Sequence, residues 1–377
     1  MVQGMSVPFR PLLRQVRKGF RQFLDSKNPS SQPERDADVW ARHEQTRHFV
    51  REVWHLCLDR EPNTDELNHL SSALVHGSDF ANFFLDVANS PEAIGKRSQQ
   101  SSIRPGYPIG HYYSPVVDPD ELAKSSFGKQ RKPDELLCID FNYEKMKPLI
   151  ATALTARTMS LPEEATPEFR YYVNNDMFGI GDAIVLSAFL SHFKPANWIE
   201  VGSGFSSAIL LDTLDRDSTL KTKVVFIEPN TDRLEALIRQ EDRERVSIIK
   251  SIVQDVPLET YEILGAGDVL FLDTTHISKT GSDVNHEVFQ ILPRLKPGVI
   301  VHFHDVFDVL EYPDEWIYKE NRSWNEQYLL RAFLMYNDNF EVLYANDAFA
   351  KHNRGFIKEI CPDILRNPGG GLWLLKR

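Results

Sequence analysis

Residues 197–207 read Asn-Trp-Ile-Glu-Val-Gly-Ser-Gly-Phe-Ser-Ser (NWIEVGSGFSS). A short β-rich run ends on a Gly-Ser-Gly turn and passes directly into a helical pattern at 205–214. Gly202 and Gly204 let the backbone turn tightly and approach a ligand closely. By itself such a turn also serves as a plain strand-to-helix connection, so its meaning depends on what surrounds it.

Working outward, six further β-rich runs follow the first: 223–229 (KVVFIEP), 246–251 (VSIIKS), 268–274 (DVLFLDT), 299–305 (VIVHFHD), 340–346 (FEVLYAN) and 371–376 (GLWLLK). Helical patterns at 205–214, 231–241, near 256–264 and at 285–295 separate the first five. Near-continuously apolar strands alternating with helices predict a parallel sheet covered on both faces. A helix at 324–337 precedes the last two runs, which lack a proper helical crossover and suit an antiparallel, hairpin-like pair at the edge. The fold expected is α/β: a doubly wound, Rossmann-like, seven-stranded sheet, mostly parallel, with a small N-terminal all-α domain.

In such sheets the ligand lies outside the carboxyl ends of the strands, where the strand order reverses. The polar residues sit there. Strand two ends in Glu228, able to accept bonds from both ribose hydroxyls. Strand three is followed by Gln254 and Asp255, suited to an adenine edge. Strand four ends in Asp273 with His276 after it, and strand five ends in His304 and Asp305. One carboxylate at a strand end needs no special explanation; acids or histidines at four of five do.

Together, IEVGSGFSS, FIEP, the QDVP segment, FLDTTHISKTGSDVNH and LKPGVIVHFHDVF resemble a class I S-adenosylmethionine-dependent methyltransferase over about residues 170–377. The resemblance implies that Glu200, Gly202, Ser203 and Gly204 form the cofactor turn, with Glu228 as the ribose acid and Asp255 and Asp273 as further cofactor contacts. An NAD-linked oxidoreductase on a similar sheet is the alternative. Ser207 occupies the third glycine position of the dinucleotide fingerprint, and Glu200, two before the first glycine, favours the methyltransferase. A cofactor-binding scaffold without catalysis is a third reading.

Methyl transfer needs an acceptor aligned behind the methyl group. An oxygen acceptor also needs its proton removed, by a base or by a metal that lowers its pKa. His276, His304 and Asp305 are the catalytic candidates, with either histidine as base. The same residues with Asp273, and less favourably Asn285, are candidate ligands for a divalent ion. His302 is expected deeper in the strand as a satisfied core histidine. The aromatic insertion 307–327, with Phe307, Tyr312, Trp316, Tyr318 and Trp324, suits a substrate lid or the packing of an insertion. Asn174, Asn175 and Asp176 are expected to close the cofactor side, and helix 182–193 to supply core.

The N-terminal part differs. Residues 1–30 combine Phe9, Leu12, Leu13, Val16, Phe20, Phe23 and Leu24 on one helical face with a charge of +5, a basic amphipathic helix of the kind that packs on its own protein, lies on an anionic membrane or docks on a partner. Residues 39–97 carry helical stripes, with Asn63 or Thr64 placed to cap a helix. This module resembles a small helical domain of unknown function found beside enzymes of surface-glycan biosynthesis, which implies a sugar, a glycan or another small hydroxylated acceptor. Residues 98–169 read as an irregular linker or strap, and 108–115 (PIGHYYSP) as either a cover over a pocket or a structured linker.

Composition excludes several classes. The chain has 377 residues, 42% hydrophobic, with a net charge of −11, leaving −16 outside the basic leader. A body that acidic repels phosphate backbones, so nucleic acid is not the expected partner. No apolar run is long enough to span a membrane. Three widely spaced cysteines, Cys57, Cys138 and Cys361, make neither a disulfide framework nor a zinc site. A cytoplasmic protein, peripheral to a membrane if the basic helix binds one, is expected.

Overall fold

The computed structural model describes residues 136–157 and 159–377 continuously, 60–75 and 110–126, and scattered positions between 46 and 132. The basic helix expected over 1–30 and most of the 39–97 module lie outside the described residues. Residues 1–105 and 106–377 are two compact units. In the first, helix α1 (Thr64–Val75) begins at a reciprocal cap. The Glu66 amide donates to Asn63 Oδ1 at 2.9 Å and the Asn63 amide donates to Glu66 Oε2 at 2.7 Å.

The second unit opens with α2 (Pro119–Lys124) and α3 (Tyr143–Ala156). The latter corrects the reading of 98–169 as an irregular linker. Met146, Ile150 and Ala153 of α3 are buried in the main core. Next comes α4 (Ile180–Phe193), buried on every side from Ile180 to Ser191. A helix apolar all round is one enclosed by protein, here between the sheet and its neighbouring helices.

The sheet contains β1 (Asn197–Val201), β2 (Lys223–Ile227), β3 (Val246–Ile249), β4 (Val269–Leu272), β5 (Ile300–Phe303), β6 (Phe340–Ala345) and β7 (Leu372–Lys376), in the order β3-β2-β1-β4-β5-β7-β6. All pairs are parallel except β5–β7 and β6–β7. The antiparallel edge is as expected, but its connection is no hairpin, because two short helices, Asn346–His352 and Arg354–Ile360, fill it. Between β1 and β2 runs α5 (Phe205–Arg216), and α6 (Glu326–Met335) precedes β6.

Register sets the site. Val201 pairs with Ile227 on one side and Leu272 on the other, and Leu272 pairs with Phe303. One residue further, Glu228, Gly202, Asp273 and His304 therefore stand in a row across the strand ends. The chain winds outward through β2 and β3 and then returns to place β4 beside β1, which opens a crevice between those two ends.

Candidate functional site

The turn after β1 is shaped by contact with β4. Gly202 has φ +81°, and a Cβ there would lie 1.8 Å from the Asp273 carbonyl oxygen. Its amide donates to the Ile227 carbonyl at 3.0 Å. Glycine is required here by both conformation and space. Gly204 differs: its φ of −173° is extended, and a Cβ would meet only the end of Arg233 at 3.5 Å.

Glu228 is fixed beside this turn. Its Oε2 accepts from the Ser203 amide at 3.0 Å and its Oε1 from the Asn230 amide at 2.8 Å. Each oxygen keeps a further lone pair for a hydroxyl donor. Ser203 Oγ is buried without a hydrogen-bond partner. Gly202 and Glu228 border a cavity of about 450 Å³ lined also by Val253, Gln254, Asp273, Thr275 and Lys279.

Four of the expected cofactor residues lie outside that lining: Ser203 and Gly204 in the turn itself, and Glu200 and Asp255. Glu200 is wholly buried beneath the turn, accepting from Ser206 Oγ at 2.9 Å, Ser207 Oγ at 2.5 Å and Trp198 Nε1 at 3.3 Å. Burial raises its pKa to about 7 against those three bonds. It ties β1 to the start of α5 and does not line the cavity. Asp255 is exposed and outside the lining, while its neighbour Gln254 faces in.

A second cavity, of about 210 Å³, lies on the β5 side. Its walls include Asp176, Asp182, His304, Asp305, Trp316 and Asn367. Asn175 and Asp176 line this space and not the cofactor side, and Asn174 turns away to bond Glu164. Asp182, expected only as part of a core helix, accepts from Asn346 Nδ2 at 2.8 Å, and burial raises its pKa to about 7. His304 stacks on Phe178 at 4.9 Å, with Nε2 3.6 Å from Asp305 Oδ1 and Nδ1 lacking a partner. Burial lowers the pKa of His304, but Asp273, Asp305 and Asp182 more than offset it.

His276 lies between Asp273 of the larger cavity's wall and Asp305 of the smaller one's, and lines neither cavity itself. Its Nδ1 is 2.8 Å from Glu326 Oε2, and its Nε2 is 3.5 Å from Asp273 Oδ1 and 3.6 Å from Asp305 Oδ2. Trp324 packs on the ring at 4.5 Å. The residue is held at φ +58°, and its carbonyl accepts from the Asn325 and Glu326 amides at the start of α6. Burial depresses its pKa, but Asp273 and Glu326 win and hold it well above the usual histidine range. Glu326 escaped the sequence reading: fifty residues separate it from His276, and the only signal was an acid in the first turn of a helix.

A family model described as a methyltransferase domain matches residues 199–306, the span that holds both cavity-forming strand ends. That span is a methyltransferase domain of the class I S-adenosylmethionine-dependent kind. An uncharacterized protein of Archaeoglobus fulgidus is 34% identical to it over 166 residues, covering 42% of this chain and 73% of that protein. Among solved structures, the SAH-bound methyltransferase of Podospora anserina is 16% identical, with 52% of this chain and 77% of that chain covered and a TM-score of 0.35. The O-methyltransferase of Bacillus cereus in complex with SAH is 11% identical, covering 67% and 95%, with a TM-score of 0.33.

In this methyltransferase His302 is a core residue, as expected, but not a satisfied one. Its ring lies 4.1 Å from that of Phe271 and 4.3 Å from that of Trp373, and neither nitrogen has a hydrogen-bond partner. Burial holds its pKa well below the ordinary value, so it is neutral. The donors considered for a divalent ion are near one another, but among the described residues no three His, Cys, Asp or Glu side chains are arranged to hold one. Asp273 and Asp305 both approach the same nitrogen of His276, and Asn285 bonds Ser278 and Lys279 instead. No step is therefore routed through a metal. Phe307 and Trp316 of the aromatic insertion meet edge to face at 5.0 Å and border the second cavity, with Arg322 stacked 4.1 Å above Trp316.

Proposed function

We propose that this methyltransferase methylates a hydroxyl of a small polyhydroxylated acceptor, a sugar or the end of a glycan, with His276 accepting the proton. The observation that carries the reading is the His276–Glu326 pair at 2.8 Å. A carboxylate on Nδ1 fixes the ring and leaves Nε2 as the acceptor, turned toward Asp273 and Asp305. S-adenosylmethionine, when bound, supplies an electrophilic methyl group on a sulfonium. The chain's own residues do the rest. Glu228 and Gly202 present a rigid carboxylate and an open backbone turn to the donor in the larger cavity. Asp176, Asp182, Asn367 and Asp305 offer acceptors to hydroxyl groups in the smaller one, whose Trp316 and Phe307 give a ring an apolar face. At about 210 Å³ that cavity is below the ordinary range for drug-sized ligands, which suits a single ring. The resemblance of the N-terminal module to one found beside glycan enzymes supports a sugar.

The test is calorimetry with S-adenosylmethionine, S-adenosylhomocysteine and NAD, followed by release of S-adenosylhomocysteine over matched hydroxyl, deoxy and amine acceptors. Binding of the two sulfur cofactors and turnover confined to hydroxyl acceptors are expected. Turnover of amines alone, or full activity in His276→Gln, would overturn the proposal.

A further inference from the structure

The segment 107–113 holds four rings outside the fold. Tyr107, Tyr112 and Tyr113 are 45%, 82% and 63% exposed. Tyr107 stacks on His111 at 4.6 Å, His111 on Tyr112 at 4.1 Å, and Tyr113 leans on Tyr107 at 4.8 Å. The loop is built to keep them there. The Gly110 amide donates to the Val116 carbonyl at 3.0 Å, Ser114 to His111 at 2.7 Å, and the Tyr113 amide to His111 Nδ1 at 3.1 Å. Gly110 sits at φ +82°, where a Cβ would press on Asp118 Cβ at 2.7 Å. An ordered loop that spends its aromatic rings on solvent instead of core marks an interaction surface.

Its position links it to the acceptor. The chain that leaves this loop is fastened to the lid: the Val117 amide donates to Ser323 Oγ at 3.4 Å, Tyr318 Oη to the Gly128 carbonyl at 3.1 Å, and Lys132 pairs with Asp314 at 3.0 Å. The same lid supplies Phe307 and Trp316 to the smaller cavity. The chemistry of the rings fits flat, uncharged faces rimmed by hydroxyls, because stacked rings pack the C–H face of a pyranose while phenol groups bond its edge. Asp118, Asp120 and Glu121, immediately beyond the loop, disfavour an anionic partner such as an acidic lipid surface.

We propose that Tyr112 and Tyr113, backed by His111 and Tyr107, form a stacking subsite for the distal residues of a neutral glycan whose end residue occupies the cavity beside His304 and Trp316. This rests on the hydroxylated-acceptor reading above. The subsite reads acceptor length, and the cavity holds the residue that is methylated.

The experiment titrates the full chain, saturated with S-adenosylhomocysteine, with neutral oligosaccharides of one to six residues from the maltose, cellulose, mannan and chitin series, read by calorimetry. Affinity in at least one series should rise with length by about tenfold or more, worth about 1.4 kcal/mol. Tyr112→Ala/Tyr113→Ala should remove that increment while leaving Tm, cofactor affinity and single-sugar affinity unchanged. Length-independent binding, an increment that survives the double variant, or no binding in any series would overturn the subsite. So would ring-dependent binding to phosphatidylcholine–phosphatidylserine vesicles. Failure of the wild type to bind S-adenosylhomocysteine would instead strike the methyltransferase reading, so the two failures are distinguishable.

Discussion

The two glycines of the β1 turn look alike in sequence and should behave differently when replaced by alanine. At Gly202 the new Cβ would lie 1.8 Å from the Asp273 carbonyl oxygen, so the β1 turn and the end of β4 must separate by about 1.2 Å to reach even a 3.0 Å contact. That movement breaks the geometry of two backbone bonds of 3.0 Å, Gly202 to Ile227 and Asp273 to Val201. Two weakened hydrogen bonds at about 1 kcal/mol each, with about 1–2 kcal/mol for alanine at positive φ, give a loss of roughly 3–4 kcal/mol. For a unit of this size that lowers Tm by roughly 10 °C. At Gly204 the backbone is extended and the nearest atom would be the tip of Arg233 at 3.5 Å, so the fold should lose less than about 0.5 kcal/mol. A methyl group there would nevertheless stand beside Gly202 in the turn proposed to hold the cofactor, with only Arg233 within 4 Å. Scanning calorimetry and titration with S-adenosylmethionine should therefore show both variants weakened in binding and only Gly202→Ala weakened in Tm. Equal Tm losses would refute the steric reasoning, and undiminished affinity in Gly204→Ala would show that the cofactor does not approach this turn.

Glu326→Gln should lower kcat by about 10²-fold while sparing cofactor affinity, because the ring loses its orienting carboxylate. Since His276 must be neutral to accept a proton and its pKa is raised, kcat/KM should rise with pH along a limb above the ordinary histidine value, and Glu326→Gln should move that limb downward; an unmoved limb would detach Glu326 from the base. Glu228→Gln should weaken cofactor binding about tenfold by calorimetry, whereas Asp255→Asn, exposed and outside the cavity, should leave it unchanged. Glu200 has a raised pKa of about 7 in the folded state, so its contribution to stability is fully present below pH 4.5 and is lost as pH rises toward 7, on the order of 3 kcal/mol. Denaturant titrations at pH 5 and pH 8 should show a smaller stability difference in Glu200→Gln than in the wild type, and an equal difference would contradict the assignment.

What the sequence shows and hides follows from how each feature is encoded. The seven strands are legible because buried parallel strands are apolar on both faces, and the row Glu228, Gly202, Asp273, His304 is legible because register places the residue after each strand at the same edge. The turn motif that includes Glu200 does not record which way its side chain points. Glu200 lies within β1, shares a face with Trp198 by the two-residue period of a strand, and so points under the helix. Asp255 was misplaced by a short 3-10 turn over Val253–Asp255, which swings Gln254 inward instead. Helix α3 was hidden by Pro148, a residue that punctuates most sequences but is carried inside this helix. Glu326 and Asp182 join the site through tertiary packing alone, which no local pattern records.

Asp273 joins the turn proposed to hold the donor to the histidine proposed as base. Its amide is bonded to Val201, its carbonyl lies against the Cα of Gly202, and its carboxylate faces His276. One residue therefore carries the backbone wall of the donor turn and an electrostatic partner of the proton acceptor. The close approach that demands glycine at 202 also sets how near the end of β4 stands to the β1 turn, because any larger residue there would push β4, and with it the loop carrying His276, away from β1. Glu326 clamps that loop from the opposite side, through its carboxylate to Nδ1 and through the first amides of α6 to the His276 carbonyl. His276 is thus held between the sheet and the lid helix. Its positive φ, which costs a non-glycine residue about 1–3 kcal/mol, is maintained by these opposed restraints, so the strain resides at the residue proposed as base.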